Sequence, residues 1–307
     1  MFTHFELQGH RGARGLRPEN TLPSFEAALD AGANAVETDL HRTHDGIVVV
    51  CHDPQLSGRL CSRLPFPDGT PISRLTVAQL RAYRADRNPD PRRFPEQRPE
   101  VTPVAALFAA QHGLDPFGIP TLADLFAFVA AYAGPLGERA GKSEEQRGRA
   151  QQLRFDLELK RVPFHPEAMG DEFDGVRAGR LEQGVVQAVR EASVVERTRV
   201  RSFDHRCVRA LRQLEPGIEG AILIAETALV DPAEVTRRAE AAVCCPNYLF
   251  LDEEQVQSAH AGGVRVVPWT ANDAMVWERL LAWGVDGLAT DYPDRLAAYL
   301  RSRHIEY

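Results

Sequence analysis

Nine short apolar runs punctuate the chain, at residues 5–10, 35–40, 47–51, 153–160, 199–203, 220–225, 242–247, 264–269 and 287–291, and most are followed by helical periodicity. Several helices have readable ends. Asn20 and Thr21 are placed to cap a helix with Leu22, Phe25, Ala28 and Leu29 on one face, stopped by Gly32. Thr121 opens a helix over 122–132, with Asp124 as the capping-box acid. Asn272 or Asp273 starts the run Met275, Val276, Leu280, Leu281, which ends at Gly284. Pro293 suits the opening turn of a last helix containing Leu296, Tyr299 and Leu300. Strands alternating with helices over this length predict a parallel sheet wrapped in helices. The second and third strands, however, are joined by Thr43-His44-Asp45-Gly46, and Asp-Gly is a hairpin signal. The third strand therefore returns antiparallel and leaves eight parallel ones: an α/β TIM (β/α)8 barrel with a β-hairpin excursion after strand 2. If Asp45-Gly46 is the whole loop, cross-strand partners have numbers totalling 91 and Asp39 faces His52.

Two stretches break the rhythm. Residues 53–117 hold many of the prolines and one fair helical pattern, 77–83, and read as an ordered, irregular insertion. Residues 134–152 are polar and glycine-rich and read as a surface loop. With no repeat or heptad, the expectation is a single domain over 1–307 with these two additions. Composition changes this picture little: 44% hydrophobic and 26% charged residues are ordinary for a globular chain and exclude a disordered or collagen-like one. No apolar run approaches the roughly 20 residues of a transmembrane helix. A net charge of −7 with no Lys/Arg-rich block argues against nucleic-acid binding. The five cysteines (Cys51, Cys61, Cys207, Cys244, Cys245) form no disulfide pattern, and the N-terminus has neither a basic leader nor an apolar segment. A reduced cytoplasmic protein is the expectation, and the sequence carries no oligomer signature.

The candidate chemistry clusters at strand ends, where a barrel of this type builds its reactive face. His10-Arg11, flanked by Gly9 and Gly12, ends the first strand and joins a proton-transfer group to a cation. Glu37 and Asp39, two apart on a strand, leave the same face. Directed into a barrel they repel, and they need a cation or a proton. In the run Leu153 to Lys160 the odd positions are apolar and the even ones charged. Strands covered by helices on the outside must turn such a charged row inward. Glu158 then offers a third oxygen ligand, and Lys160 can meet an anion at the mouth. Arg154 and Asp156, deeper down, are expected to neutralise one another. Three carboxylates favour Ca²⁺ or Mg²⁺ over zinc. His52-Asp53 ends the returning strand, so two histidines would flank one cation and two basic groups. That arrangement suits phosphodiester hydrolysis.

The ordered set His10-Arg11-Gly12, Pro18-Glu19-Asn20-Thr21, Glu37-x-Asp39, Thr43-x-Asp45-Gly46, His52-Asp53, Glu158-x-Lys160, Ser202-Phe203, Trp269-Thr270 and Thr290-Asp291-x-Pro293 resembles the glycerophosphodiester phosphodiesterase family. The resemblance spans about residues 9–300. It implies a TIM barrel that hydrolyses glycerophosphodiesters, such as glycerophosphocholine or glycerophosphoethanolamine, to glycerol 3-phosphate and an alcohol. One divalent cation, Ca²⁺ or Mg²⁺, serves as cofactor. By motif, Glu37, Asp39 and Glu158 correspond to metal ligands, and His10 and His52 to the acid/base pair. Arg11 and Lys160 match phosphate contacts, and Trp269 an aromatic on the glycerol side. Glu19 matches a position near the metal or an orienter of Arg11. Asn20 and Thr21 remain a helix cap. The long insertion, with extra material at 104–116, departs from the family pattern. Two other readings compete. One is a lysophospholipid or phosphoinositide phosphodiesterase with an apolar rim drawn from Phe66, Phe94, Leu107, Phe108 and Phe117; the other is a non-catalytic barrel with a structural charge network.

Overall fold

A computed structural model describes residues 4–307. Eight strands run parallel in the order β10-β9-β8-β7-β6-β2-β1-β11. Their ranges are β1 Glu6–Gly9, β2 Ala35–Arg42, β6 Arg154–Leu159, β7 Thr198–Ser202, β8 Glu219–Ile224, β9 Val243–Pro246, β10 Arg265–Val266 and β11 Gly287–Thr290. The seam between β10 and β11 is bridged by the Asp286, Ala289 and Ala271 amides, donating to Val266, Pro268 and Ala289 carbonyls at 2.9, 3.1 and 2.9 Å. The fold is the expected TIM barrel. Antiparallel β3 (Val48–Val50) hangs from β2, and a short ribbon, β4 (Gln55–Leu56) with β5 (Thr70–Pro71), follows it. Among the described residues no helix is long and apolar enough to cross a membrane.

Three helix boundaries match their signals. Gly32 closes helix Leu22–Ala31 in the left-handed conformation, Thr121 and Asp124 form a reciprocal capping box, and Pro293 begins helix Pro293–Ser302. Between the two candidates Asn272 and Asp273, Asp273 is the cap, its carboxylate accepting from the Met275 amide at 2.9 Å. The cap assigned to Asn20 and Thr21 is not made by their side chains. Thr21 holds the N-cap position, but its hydroxyl donates to the Pro18 carbonyl at 2.6 Å.

The hairpin register also differs from the expectation. Leu40 faces Val50 and His41 faces Val49, so partners total 90. The Cys51 amide bonds the Asp39 carbonyl at 2.9 Å, placing His52 one residue further on. The cause is local. Asp45 accepts from the Thr43 hydroxyl at 2.6 Å and from the Val77 amide at 3.1 Å, at the start of helix Val77–Leu80. Gly46 alone takes positive φ (90°), giving a three-residue loop in place of two.

Residues 134–152 are not a loop. They form helices Pro135–Arg139 and Glu144–Gln151, the second started by a Ser143/Gln146 capping box. Lys142 between them is ion-paired to Glu26 and Asp30 at 2.8 and 2.6 Å. The insertion carries a further helix, Pro103–His112, closed by left-handed Gly113. Buried Glu26 caps it, accepting from the Val104 and Ala105 amides at 3.0 and 2.8 Å. The rest of the insertion packs a small core of its own from Leu56, Leu60, Ile72, Leu75, Leu80 and Tyr83.

The barrel interior is divided. Glu6, Gln8, Glu37, Asp39, Asp156, Glu158, Arg199 and Arg201 on β1, β2, β6 and β7 make a charged wall. Ala221, Leu223, Val243, Cys245 and Val267 fill the other side. The β6 charged row does point inward, but Arg154 and Asp156 do not neutralise one another. Arg154 reaches Glu219 at 2.8 Å, while Asp156 meets Arg199 at 2.5 Å and Arg201 at 3.2 Å. Other barrel strands supply the partners: β8 provides Glu219 for Arg154, and the adjacent β7 provides Arg199 and Arg201 for Asp156. Arg199 also forks onto Glu6, at 2.5 and 3.0 Å. Arg199→Ala would remove the buried guanidinium shared by Glu6 and Asp156, leaving Asp156 with Arg201, so it is expected to destabilise the protein by about 3 kcal/mol. Urea unfolding measures this, and a loss below about 1 kcal/mol would contradict it.

Candidate active site

The mouth of the barrel is organised by the turn after β1. Arg11 and Asn20 both adopt left-handed backbone (φ 52° and 57°), uncommon outside glycine. The Asn20 amide bonds the Arg11 carbonyl at 3.0 Å, and the Arg11 amide donates to Glu37 Oε2 at 3.0 Å. Gly12 (φ 82°) makes this turn possible, because a Cβ there would lie 2.6 Å from the Ser24 carbonyl carbon.

Glu37, Asp39 and Glu158 converge, with one oxygen of each lying within 4.8 Å of the others, and all three are buried. Burial pushes the Glu37 carboxyl up to about 8; Arg201 pulls against this, while Asp39 and Glu158 reinforce it. Asp39 is lowered instead, since Arg11, Lys160 and His52 together outweigh its burial. Asp39 Oδ1 is buried and has no hydrogen-bond partner among the described residues, although Lys160 Nζ lies 3.4 Å away. An all-oxygen donor set, mutual repulsion and an unpartnered carboxylate oxygen fit a hard divalent cation.

The cations face this trio. Arg11 contacts Glu19 through Nη1 at 2.9 Å and Asp39 through Nε at 3.3 Å. Lys160 contacts Glu158 at 2.7 Å. Glu19 stays outside the trio and bridges Arg11 and Arg14, the second at 2.7 Å, so its geometry is that of an Arg11 orienter. His10 is buried, with Nδ1 2.6 Å from Asp291 Oδ1 and Nε2 3.8 Å from Glu37 Oε2. Burial lowers its pKa to about 4 against the pull of Asp291, so the imidazole is neutral. His52 is half-exposed, with Nδ1 2.7 Å from Asp53 Oδ1.

The model of the glycerophosphoryl diester phosphodiesterase family matches residues 10–295. The chain belongs to that family. It is accordingly a phosphodiesterase. A glycerophosphodiester phosphodiesterase of Caldanaerobacter subterraneus subsp. tengcongensis is 25% identical over 293 residues, 95% of this chain and 96% of the relative. One from Bacillus altitudinis is 26% identical, covering 94% and 96%. Among solved structures, a candidate glycerophosphoryl diester phosphodiesterase from Silicibacter pomeroyi DSS-3 superposes with TM-score 0.78 at 27% identity, covering 100% of this chain and 96% of that one. An Oleispira antarctica phosphodiesterase, solved with sn-glycerol-3-phosphate, shares the fold with TM-score 0.69 at 21% identity, covering 96% of both chains.

Within this phosphodiesterase, Trp269 sits at the apolar side of the mouth. Its indole donates to the Cys245 carbonyl at 2.8 Å, and its ring meets Phe203 edge-on with centroids 5.8 Å apart. Four residues hold the proposed ligands and bases in place: Arg201, which the sequence did not single out, and Asn20, Asp291 and Asn272, which it read as caps or as part of a motif. Arg201 grips Glu37 Oε1 at 3.0 Å, and the Asn20 amide donates to Asp39 Oδ2 at 2.9 Å while accepting from Thr38. Asp291 takes His10, and Asn272 takes Asp291 at 2.7 Å. The alternation Arg199-Val200-Arg201 was the available signal for the first. Thr290-Asp291 carried a family match without a role.

Proposed function

We propose that the enzyme hydrolyses glycerophosphodiesters, such as glycerophosphocholine or glycerophosphoethanolamine, to glycerol 3-phosphate and the free alcohol. The observation that carries this reading is the buried trio Glu37, Asp39 and Glu158, with His10 at one edge and Arg11 and Lys160 at another. The trio would hold one divalent cation, Ca²⁺ or Mg²⁺, which when bound neutralises charge on a phosphoryl oxygen. Arg11 and Lys160 take the remaining negative charge of the diester. His10 Nε2 removes the proton from the nucleophile, either water or the adjacent glycerol hydroxyl through a transient cyclic phosphate. His52 gives a proton to the departing alcohol oxygen. Trp269 offers an apolar wall to the glycerol carbons. The product bound by the Oleispira protein, sn-glycerol-3-phosphate, accords with this reading.

A lysolipid substrate is a second reading, on different residues from those first named for it. Phe94, Phe108 and Phe117 are buried in the packing of the insertion and supply no rim. The segments after β6, β9 and β10 instead expose Phe164 (79%), Leu249 (67%) in the short helical turn Tyr248–Phe250, and Met275 (78%) at the start of helix Ala274–Ala282. The test is release of glycerol 3-phosphate from a diester panel with Ca²⁺, Mg²⁺ or EDTA, beside lysophosphatidylcholine. Undiminished turnover in EDTA, or no glycerol 3-phosphate from any diester, would overturn the proposal. Faster cleavage of the lysolipid would move it to the second reading.

A further inference from the structure

The residue after β11 decides which face of His10 is basic. Asp291 is fully buried, and a carboxylate can only accept, so His10 Nδ1 carries the ring proton. Nε2 faces the acidic trio, 3.8 Å from Glu37 Oε2, and in the neutral ring it is the nitrogen that holds the lone pair. The carboxylate is itself fixed. Its Oδ2 accepts from Asn272 Nδ2 at 2.7 Å, with Arg93 Nη2 3.8 Å away. Asn272 cannot turn over, because its Oδ1 already accepts from the Asp291 backbone amide at 2.8 Å and the Thr290 hydroxyl at 3.1 Å. We infer that Asp291 is a positioning residue that holds His10 in its Nδ1–H tautomer, and that Asn272 dictates which way group 291 presents itself to the ring. This rests on the acid/base reading above.

The clamp makes a near-isosteric change consequential. In Asp291→Asn, Asn272 still presents a donor, so the new amide must turn its oxygen to Asn272 and its NH₂ to His10. His10 Nδ1 then accepts, the ring proton moves to Nε2, and the nitrogen facing the site can no longer take a proton. The reciprocal change reverses this. In Asn272→Asp/Asp291→Asn, the carboxylate at 272 accepts from Thr290, from the backbone amide and from the new NH₂. The amide oxygen at 291 is thereby returned to His10.

The experiment compares the parent, D291N and N272D/D291N on glycerophosphocholine with added Mg²⁺ or Ca²⁺. It also reads the His10 ring by ¹⁵N–¹H correlation NMR, assigned with His10→Gln. We expect D291N to lose about 10²–10⁴ in kcat with KM within a few-fold, and to show an Nε2–H ring. The double variant is expected to recover at least about ten-fold in kcat and the Nδ1–H ring. A D291N kcat within about three-fold of the parent, an unchanged tautomer, or no recovery in a folded double variant would overturn the inference. The spectrum of D291N decides alone if the double variant does not fold. A parent inactive on glycerophosphocholine would defeat the proposed hydrolysis of that substrate while leaving the tautomer test standing.

Discussion

Replacing His10 by alanine is expected to lower kcat on glycerophosphocholine by about 10²–10⁴. His10 is buried, is aligned by Asp291 at 2.6 Å and turns Nε2 toward the trio, the position its role as base requires. His52→Ala is expected to fall into the same range, but with a different dependence on the substrate. A departing choline alkoxide needs a proton, whereas 4-nitrophenolate leaves without one. His52→Ala should therefore regain most of its rate on the 4-nitrophenyl ester of glycerol phosphate, while His10→Ala should not. Steady-state rates of both variants on both substrates check this. Rescue of His10→Ala and not of His52→Ala would exchange the two roles. Rates within a few-fold of the parent for either variant would remove that histidine from the chemistry.

The difference between the two histidines was only partly legible in the chain. Alternation along a single strand was readable: the charged even positions of β6 faced inward as the covered-strand argument required, and Glu158 arrived beside Glu37 and Asp39. What one strand's pattern cannot encode is which neighbour closes on it. Arg201 lies 193 residues from Gln8, and Asp291 lies 281 from His10; each meets its partner only through barrel closure. Arg154 and Asp156 were paired by adjacency in sequence, and the structure pairs each with another strand. The hairpin slipped by one because the fate of Asp45 depended on Val77, outside any local window. Residues 134–152 were hidden by their polarity. The helix there is anchored by its Ser143 cap and by Lys142 on Glu26 and Asp30, with little apolar face to see. Asn20 looked like a cap because the local pattern fits one, yet its amide is spent on Asp39.

The same acidic convergence governs stability. Without a cation the three carboxylates lie within 4.8 Å in a buried space and oppose folding: burial pushes Glu37 up, and the repulsion of Asp39 and Glu158 adds to it. A cation that binds the folded protein and not the unfolded chain stabilises it by about 2.7 kcal/mol at a hundred times its Kd. For a chain of this size that is about 5 °C in Tm. Saturating Ca²⁺ or Mg²⁺ is therefore expected to raise the parent melting temperature by several degrees, reversibly with EDTA. Glu158→Gln keeps the shape and removes one charge. It should lose the cation-induced rise together with turnover, while its metal-free Tm stays equal to the parent's or exceeds it, because one repulsion is gone. Lys160 tempers that gain, since it loses its 2.7 Å partner but retains Asp39 at 3.4 Å. Differential scanning calorimetry with and without each cation reads both effects. An equal rise in parent and Glu158→Gln would show that the cation binds elsewhere and would separate the trio from the chemistry.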